Sequence, residues 1–167
     1  MPLNLLKKYN QLLDIQGMGE YQRTISLRGI FNRDITNNPN FKFQAKQISP
    51  TPADGVDKME RLFTHLTTKI VGNERKREYD YPRSVRLHWL RFHIEEQKAD
   101  NMLVFSVDEP DGIRTYIYDN AEEYVIVLEP LRKKNEYYLL TAYYIEGKDK
   151  AREKMKKKYR RKLNEVV

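Results

Sequence analysis

Between Pro82 and Gln97 the chain sets Arg83, Arg86, His88, Arg91 and His93 along one short stretch. Guanidinium groups stabilise the negative charge that builds at phosphorus during phosphodiester cleavage, and an imidazole moves a proton near neutral pH. Together they suit phosphodiester chemistry without a metal. On a helix His88, Arg91 and Glu95 share one face, while Arg86 and His93 share another with Leu90 between them. The plain alternative is a solvated helix whose arginines pair with Asp80, Glu95 and Glu96. Hydroxyl groups follow in the second half, where nine of the twelve tyrosines lie between Tyr79 and Tyr144. Arg114, Tyr116 and Tyr118 fall on one side of a strand, and Tyr137, Leu139, Thr141, Tyr143 and Ile145 alternate with Tyr138, Leu140, Ala142 and Tyr144. Tyrosines beside cations make a surface for stacking bases and contacting phosphates, and they are equally ordinary cross-strand fillers.

Other chemistries find no support. The chain has no cysteine, which removes disulfides, thiolate metal sites and thiol nucleophiles. His88 and His93 are five residues apart, roughly 140° around a helix, so they do not share a face as two zinc-binding histidines would. Asp108, Glu109 and Asp111 surround Pro110 and precede Gly112, which reads as a turn rather than a calcium loop. Gly17-Met18-Gly19 lacks the third glycine and the preceding strand of a dinucleotide fingerprint. No metal and no cofactor are expected.

The 167 residues carry a net charge of +7, and all of that excess lies in residues 147–167; residues 1–146 are neutral. In this tail Ala151, Met155, Tyr159 and Leu163 recur every four residues, giving a narrow apolar stripe on an otherwise basic helix. Lys154, Lys157, Lys158, Arg160 and Arg161, with Arg83 and Arg91 upstream, are candidate nucleic-acid contacts. Such a helix attracts polyanions by counterion release, so RNA is the expected partner, with DNA the alternative. A solvated basic terminus, or one touching an acidic protein patch, is the plain reading. The stripe lacks Trp and Phe and has little Leu, which disfavours a membrane surface. Residues 1–8 have too few apolar positions for a secretory segment or a membrane span, so a soluble cytoplasmic protein is expected.

Elements that would position these groups follow from periodicity. Charged residues make up 33% of the chain, yet apolar residues cluster densely enough to exclude global disorder and to build one domain with a small appendage. Helices are predicted over residues 3–15 and 22–34, then a short strand through Phe41, Phe43 and Ala45. Ser49-Pro50-Thr51-Pro52 reads as a linker, dividing a mainly helical appendage (1–50) from the main domain (51–167). Asp54 would cap a helix through Met59, Leu62, Phe63, Leu66 and Ile70, and Glu74–Asp80 is a polar connection to a helix over 82–97. Strands are predicted at 102–107, 113–118, 124–131 and 137–146, joined by short loops. The expected fold is α+β: a helix packed on a four-stranded antiparallel meander, with a basic C-terminal helix.

Arg83-Ser-Val-Arg86-Leu-His-Trp89-Leu90-Arg91, Ile113-Arg114-Thr-Tyr116-Ile117, Tyr124-Val-Ile-Val-Leu128 and Tyr138-Leu-Leu-Thr141-Ala142-Tyr143-Tyr144, with the basic terminal helix, resemble the phage-associated branch of the barnase–EndoU–colicin–RelE-like (BECR) nuclease superfamily. The resemblance covers residues 80–162. It implies a toxin-like, metal-independent endoribonuclease with an RNA cleft on the sheet, cleaving by attack of the ribose 2′-hydroxyl on the adjacent phosphate. It implies that Arg86 holds the scissile phosphate, that Arg114 and Tyr116 approach it from the second strand, and that Thr141 sits in the cleft with Tyr143 behind it. His88 is added as a proton-transfer candidate for its place beside Arg86, not for a motif position. No His pairs with a Glu or Lys as a barnase-type mechanism would want, so either Tyr and Arg move the protons or the chain binds RNA without cutting it. Residues 1–50, with Asn32-Arg33-Asp34-Ile35-Thr36-Asn37-Asn38-Pro39, resemble leaders of such domains in phages of Gram-positive bacteria. The rivals are a non-catalytic nucleic-acid-binding module of the same fold and a phage structural or host-takeover protein. In the latter the N-terminal half would dock a protein partner through an apolar patch around Phe31, Phe41 and Phe43.

Overall fold

The computed structural model describes residues 2–95, 101–147 and 149–167. Glu96, the end of the helix predicted to run to 97, and Lys148 in the basic tail lie outside the described residues. The fold is α+β, and its main sheet has six strands rather than four. The strands are β1 (Lys42–Phe43), β2 (Lys46–Pro50), β5 (Met102–Glu109), β6 (Gly112–Asp119), β7 (Tyr124–Leu131) and β8 (Glu136–Tyr144), in the order β1-β2-β8-β7-β6-β5. The predicted meander is present as β5 to β8, all antiparallel. It is extended by β2, which runs parallel to β8 with Gln47 opposite Glu136 and Pro50 opposite Leu139.

The reading of Ser49-Pro50 as linker is therefore corrected. Proline is tolerated there because β1 pairs only with Lys46 and Gln47, so that by Pro50 β2 is an edge of the sheet. The predicted strand through Phe41, Phe43 and Ala45 shortens to Lys42–Phe43, because Gln44 and Ala45 both take positive φ, 50° and 64°, and turn the chain into β2. The boundary expected at residue 50 coincides with the end of β2, and the residues before it share their core with those after it: Leu27, Phe31, Phe43 and Ile48 pack with Leu62, Trp89, Ile126 and Tyr137. Phe31, Phe41 and Phe43, expected as an exposed docking patch, are 1–2% exposed in that core.

Helices cover one face of the sheet. α1 (Pro2–Leu5) is a single turn in place of the helix predicted over 3–15. α2 (Glu20–Phe31) runs into a π turn at Asn32–Thr36, where buried Asp34 is held by Arg33 and Arg91. α3 (Lys58–Thr67) is capped by Asp57, three residues after the predicted Asp54, whose carboxylate accepts from the amides of Met59 and Glu60. It ends earlier than predicted, and the chain becomes a hairpin of β3 (Thr68–Val71) and β4 (Lys76–Tyr79), so Ile70 is a strand residue and Glu74–Asp80 is no simple connection. The helix predicted over 82–97 is two short ones, α4 (Tyr81–Ser84) and α5 (Trp89–Ile94), separated by turns through Val85–His88.

The opposite face of the sheet, formed by Phe105, Val107, Tyr116, Tyr118, Val125 and Val127, is covered by α6 (Asp149–Arg160). The predicted stripe performs this packing: Met155 is 2% exposed, with Ala151 and Tyr159 beside it. No helix among the described residues is long and apolar enough to cross a membrane.

Candidate functional site

Strand β2 accompanies β8 only as far as Leu139, and just beyond that point β8 bulges. Leu128 faces Leu139 while Val127 faces Thr141, so Leu140 is an extra residue that re-aims the strand. Over the bulge lies a cleft of about 400 Å³ lined by Leu139, Leu140 and Thr141, by Thr51 after β2, and by three cationic elements. α3 contributes Lys58, Arg61, Leu62 and His65, the hairpin contributes Lys69, Ile70 and Arg77, and α4 contributes Arg83. Lys58, Arg61 and His65 fall at i, i+3 and i+7, so the helix that buries Phe63 and Leu66 inward offers its basic side to the cleft. No carboxylate lines the cleft among the described residues.

Arg83 stitches the walls together. Its Nη1 donates to the carbonyls of His65 at 2.8 Å and Thr68 at 2.9 Å, with the Thr141 hydroxyl at 3.4 Å. Its Nε lies 3.4 Å from Asp80, and burial lowers its pKa while Asp80 opposes that shift. Arg77 donates to the hydroxyl and carbonyl of Thr68, and its pKa is lowered by burial and then by Arg83 and Arg61. Burial, followed by the charges of Arg77, Arg61 and Arg83, lowers the pKa of His65, which keeps the imidazole neutral at pH 7. The arrangement can receive a phosphate, and it presents a proton acceptor beside it.

Of the residues singled out from the sequence, Arg83 and Thr141 meet in this cleft. Tyr143 stands near them, its ring centre 5.9 Å from the Arg83 guanidinium carbon, and burial raises its pKa. Arg86 points elsewhere: its Nη1 donates to Pro82 and its guanidinium stacks 3.6 Å over the Tyr144 ring. Arg114 lies in a separate shallow depression with Glu129, 3.5 Å away. Tyr116 is sealed under α6, stacked on Phe105, with its hydroxyl donating to Glu109 at 3.0 Å. That contact raises the pKa of Tyr116 further after burial, the largest cause.

The expectation for His88 is corrected. It is 0% exposed, its Nε2 bonds the Lys8 carbonyl at 2.9 Å, and burial lowers its pKa, so it is a neutral core residue with no path to a substrate. Arg91 pairs with Glu95 and Asp34. Lys158 and Arg161 are held by Glu109, whereas Lys154, Lys157 and Arg160 stand exposed on α6. Sequence reasoning missed Lys58, Arg61, His65, Lys69 and Arg77; the signal was the basic spacing on α3 beside a helix-to-strand change at Thr67-Thr68. Among the described residues no three His, Asp or Glu side chains gather as a metal site. The chain matches no family model, no curated protein and no solved structure.

Proposed function

We propose that the chain acts on RNA, holding a phosphodiester in the cleft between α3, the β3–β4 hairpin and α4, and cleaving it there as a metal-independent endoribonuclease. The observation that carries this reading is the cationic lining: Asp80 lies 3.4 Å from Arg83, but no carboxylate among the described residues lines the cleft itself. Burial and the neighbouring guanidinium groups lower the pKa of both His65 and Arg77, and no carboxylate among the described lining residues offsets them. An anion with its charge spread over several oxygens relieves that repulsion, and more so as charge builds in the transition state.

Neutral His65 would take the proton of a ribose 2′-hydroxyl. The 2′-oxygen would then bond to phosphorus while the bond to the 5′-oxygen breaks. Arg77 and Arg83 would hold the non-bridging oxygens, and an ammonium at the rim, Lys58 or Lys69, would protonate the leaving oxygen. The products would be a 2′,3′-cyclic phosphate and a 5′-hydroxyl.

A second reading, a nucleic-acid-binding module that does not cleave, is favoured by the dispersal of Arg86, Arg114 and Tyr116 over three separate places. Incubation of end-labelled total RNA with the chain in EDTA separates the two. Cyclic phosphate ends that disappear with His65→Asn and Arg77→Gln support the nuclease. Salt-sensitive binding with no new ends selects the binding module, and neither binding nor cleavage overturns both.

A further inference from the structure

The cleft is only partly cationic. Ile70 and Leu140, with buried Leu62 beside them, give the lining an apolar side next to the arginines, and Ile70 is 47% exposed. A site that held phosphate alone would have no use for such a side. A nucleotide is a ligand with both characters in one piece: a charged phosphate and a flat base whose face is poorly hydrated. The volume, about 400 Å³, falls near the lower end of the 300–1,000 Å³ usual for small-molecule sites, which is room for one nucleotide.

In a duplex the base faces are stacked on one another, and the phosphates lie on a convex surface that a concave cleft of this size does not follow. Only an unstacked nucleotide can put its phosphate on Arg61 and Arg77 and its base on Ile70 together. We infer that the cleft takes a single unpaired nucleotide of a single strand or loop, its phosphate against the guanidinium groups and its base against the apolar side formed by Ile70 and Leu140, with Leu62 beside them. This rests on the cleft being the nucleic-acid site.

Full-length chain is titrated against a fluorescent 2′-O-methyl oligoribonucleotide, which cannot be cleaved by 2′-hydroxyl attack, as a single strand and as a blunt duplex of the same sequence. Expected is single-strand binding about tenfold tighter than duplex binding, the effect of one base contact. Ile70→Ala should remove most of that preference and Ile70→Tyr should keep or widen it. Both changes are at an exposed strand position, and circular dichroism checks that the fold persists. Equal affinity for the two forms, or a preference indifferent to Ile70, overturns the inference while leaving a phosphate-binding cleft in place. No salt-sensitive binding of either form by the unmodified chain would instead remove the nucleic-acid reading itself.

Discussion

The guanidinium of Arg83 donates to the backbone carbonyl of His65 across 2.8 Å, so the residue that closes the floor of the cleft also fixes the last turn of the helix that carries its imidazole. Two further acceptors, Thr68 and Thr141, share the same nitrogen. Arg83→Ala would leave these acceptors without their donor in a half-buried place, and Asp80 without its partner. A loss of about 1.5–3 kcal/mol in urea unfolding is expected, the range for a hydrogen-bonded charged group. Arg83→Lys should recover only part of it, since one ammonium does not reproduce the planar fork. A stability change within experimental error for Arg83→Ala would mean that the walls are held by packing alone.

His65 gives the cleft a pH dependence of definite sign. Its pKa is lowered from 6.5 in the folded chain, chiefly by burial and then by three arginines, so the unfolded chain binds more protons over the window just below 6.5. Stability contributed by neutral His65 is present above that pH and is lost as pH falls toward the folded value. Buried His88, shifted in the same direction, adds to the same loss. Anion binding works the other way: a phosphate beside the ring favours the imidazolium, so binding takes up a proton and affinity rises as stability falls. Proton NMR of the His65 ring should show an apparent pKa below 6.5 that moves upward when nucleotide is added. His65→Asn should flatten the pH dependence of affinity but leave the acid destabilisation from His88.

How far this was legible in the residues depends on the range of the interactions involved. The β5–β8 meander follows from period-two alternation between neighbours in sequence, and α6 from its four-residue apolar stripe. β2 escaped because its partner is almost ninety residues away, Gln47 facing Glu136, while Ser49-Pro50-Thr51-Pro52 carries every local mark of a linker. The β3–β4 hairpin escaped because Ile70 continues the helical spacing of Leu66, and only the β-branched pair Thr67-Thr68 announces the change. Arg83 and Thr141 could be picked as reactive types, but their meeting needs the bulge at Leu140, which no local pattern encodes. Tyr116 and His88 looked available because burial comes from segments distant in sequence: α6 for one, the Lys8 turn for the other.

The basic helix cannot be tested by simply removing it. Met155 and Tyr159 cover Phe105 and Tyr116, and Lys158 and Arg161 neutralise half-buried Glu109, so truncation exposes an apolar face and leaves that carboxylate without these two cations. The informative change is on the solvent side, where Lys154, Lys157 and Arg160 are exposed. Replacing all three by Gln should leave urea unfolding within about 0.5 kcal/mol. If these residues neutralise RNA phosphates, the slope of log affinity against log salt should fall by roughly 0.7 for each single-strand phosphate that is no longer neutralised. An unchanged slope would confine recognition to the cleft.

The buried contact between His93 and Asp119 offers a last, purely structural test. His93 Nδ1 faces the Trp89 carbonyl at 2.7 Å, which can only accept, and Nε2 faces Asp119 at 2.8 Å. The two side chains face each other with 0% exposure on either side. Asp119 also accepts from the Tyr9 hydroxyl and from the amides of Ala121 and Glu122, so it joins the N-terminal segment to the β6–β7 turn. Removing Asp119 takes from His93 Nε2 the acceptor it meets in an enclosed site, which costs about 1–3 kcal/mol for a buried polar group left unsatisfied. Because Asp119→Ala also takes the acceptor from the Tyr9 hydroxyl and from the amides of Ala121 and Glu122, it should lower the unfolding midpoint more than Arg83→Ala. The double change His93→Leu with Asp119→Ala should cost less than the sum of the two single changes, because the two groups share one enclosed hydrogen bond that either single change already removes. Additive costs in that cycle would show that the two groups stabilise the fold through separate neighbours and not through each other.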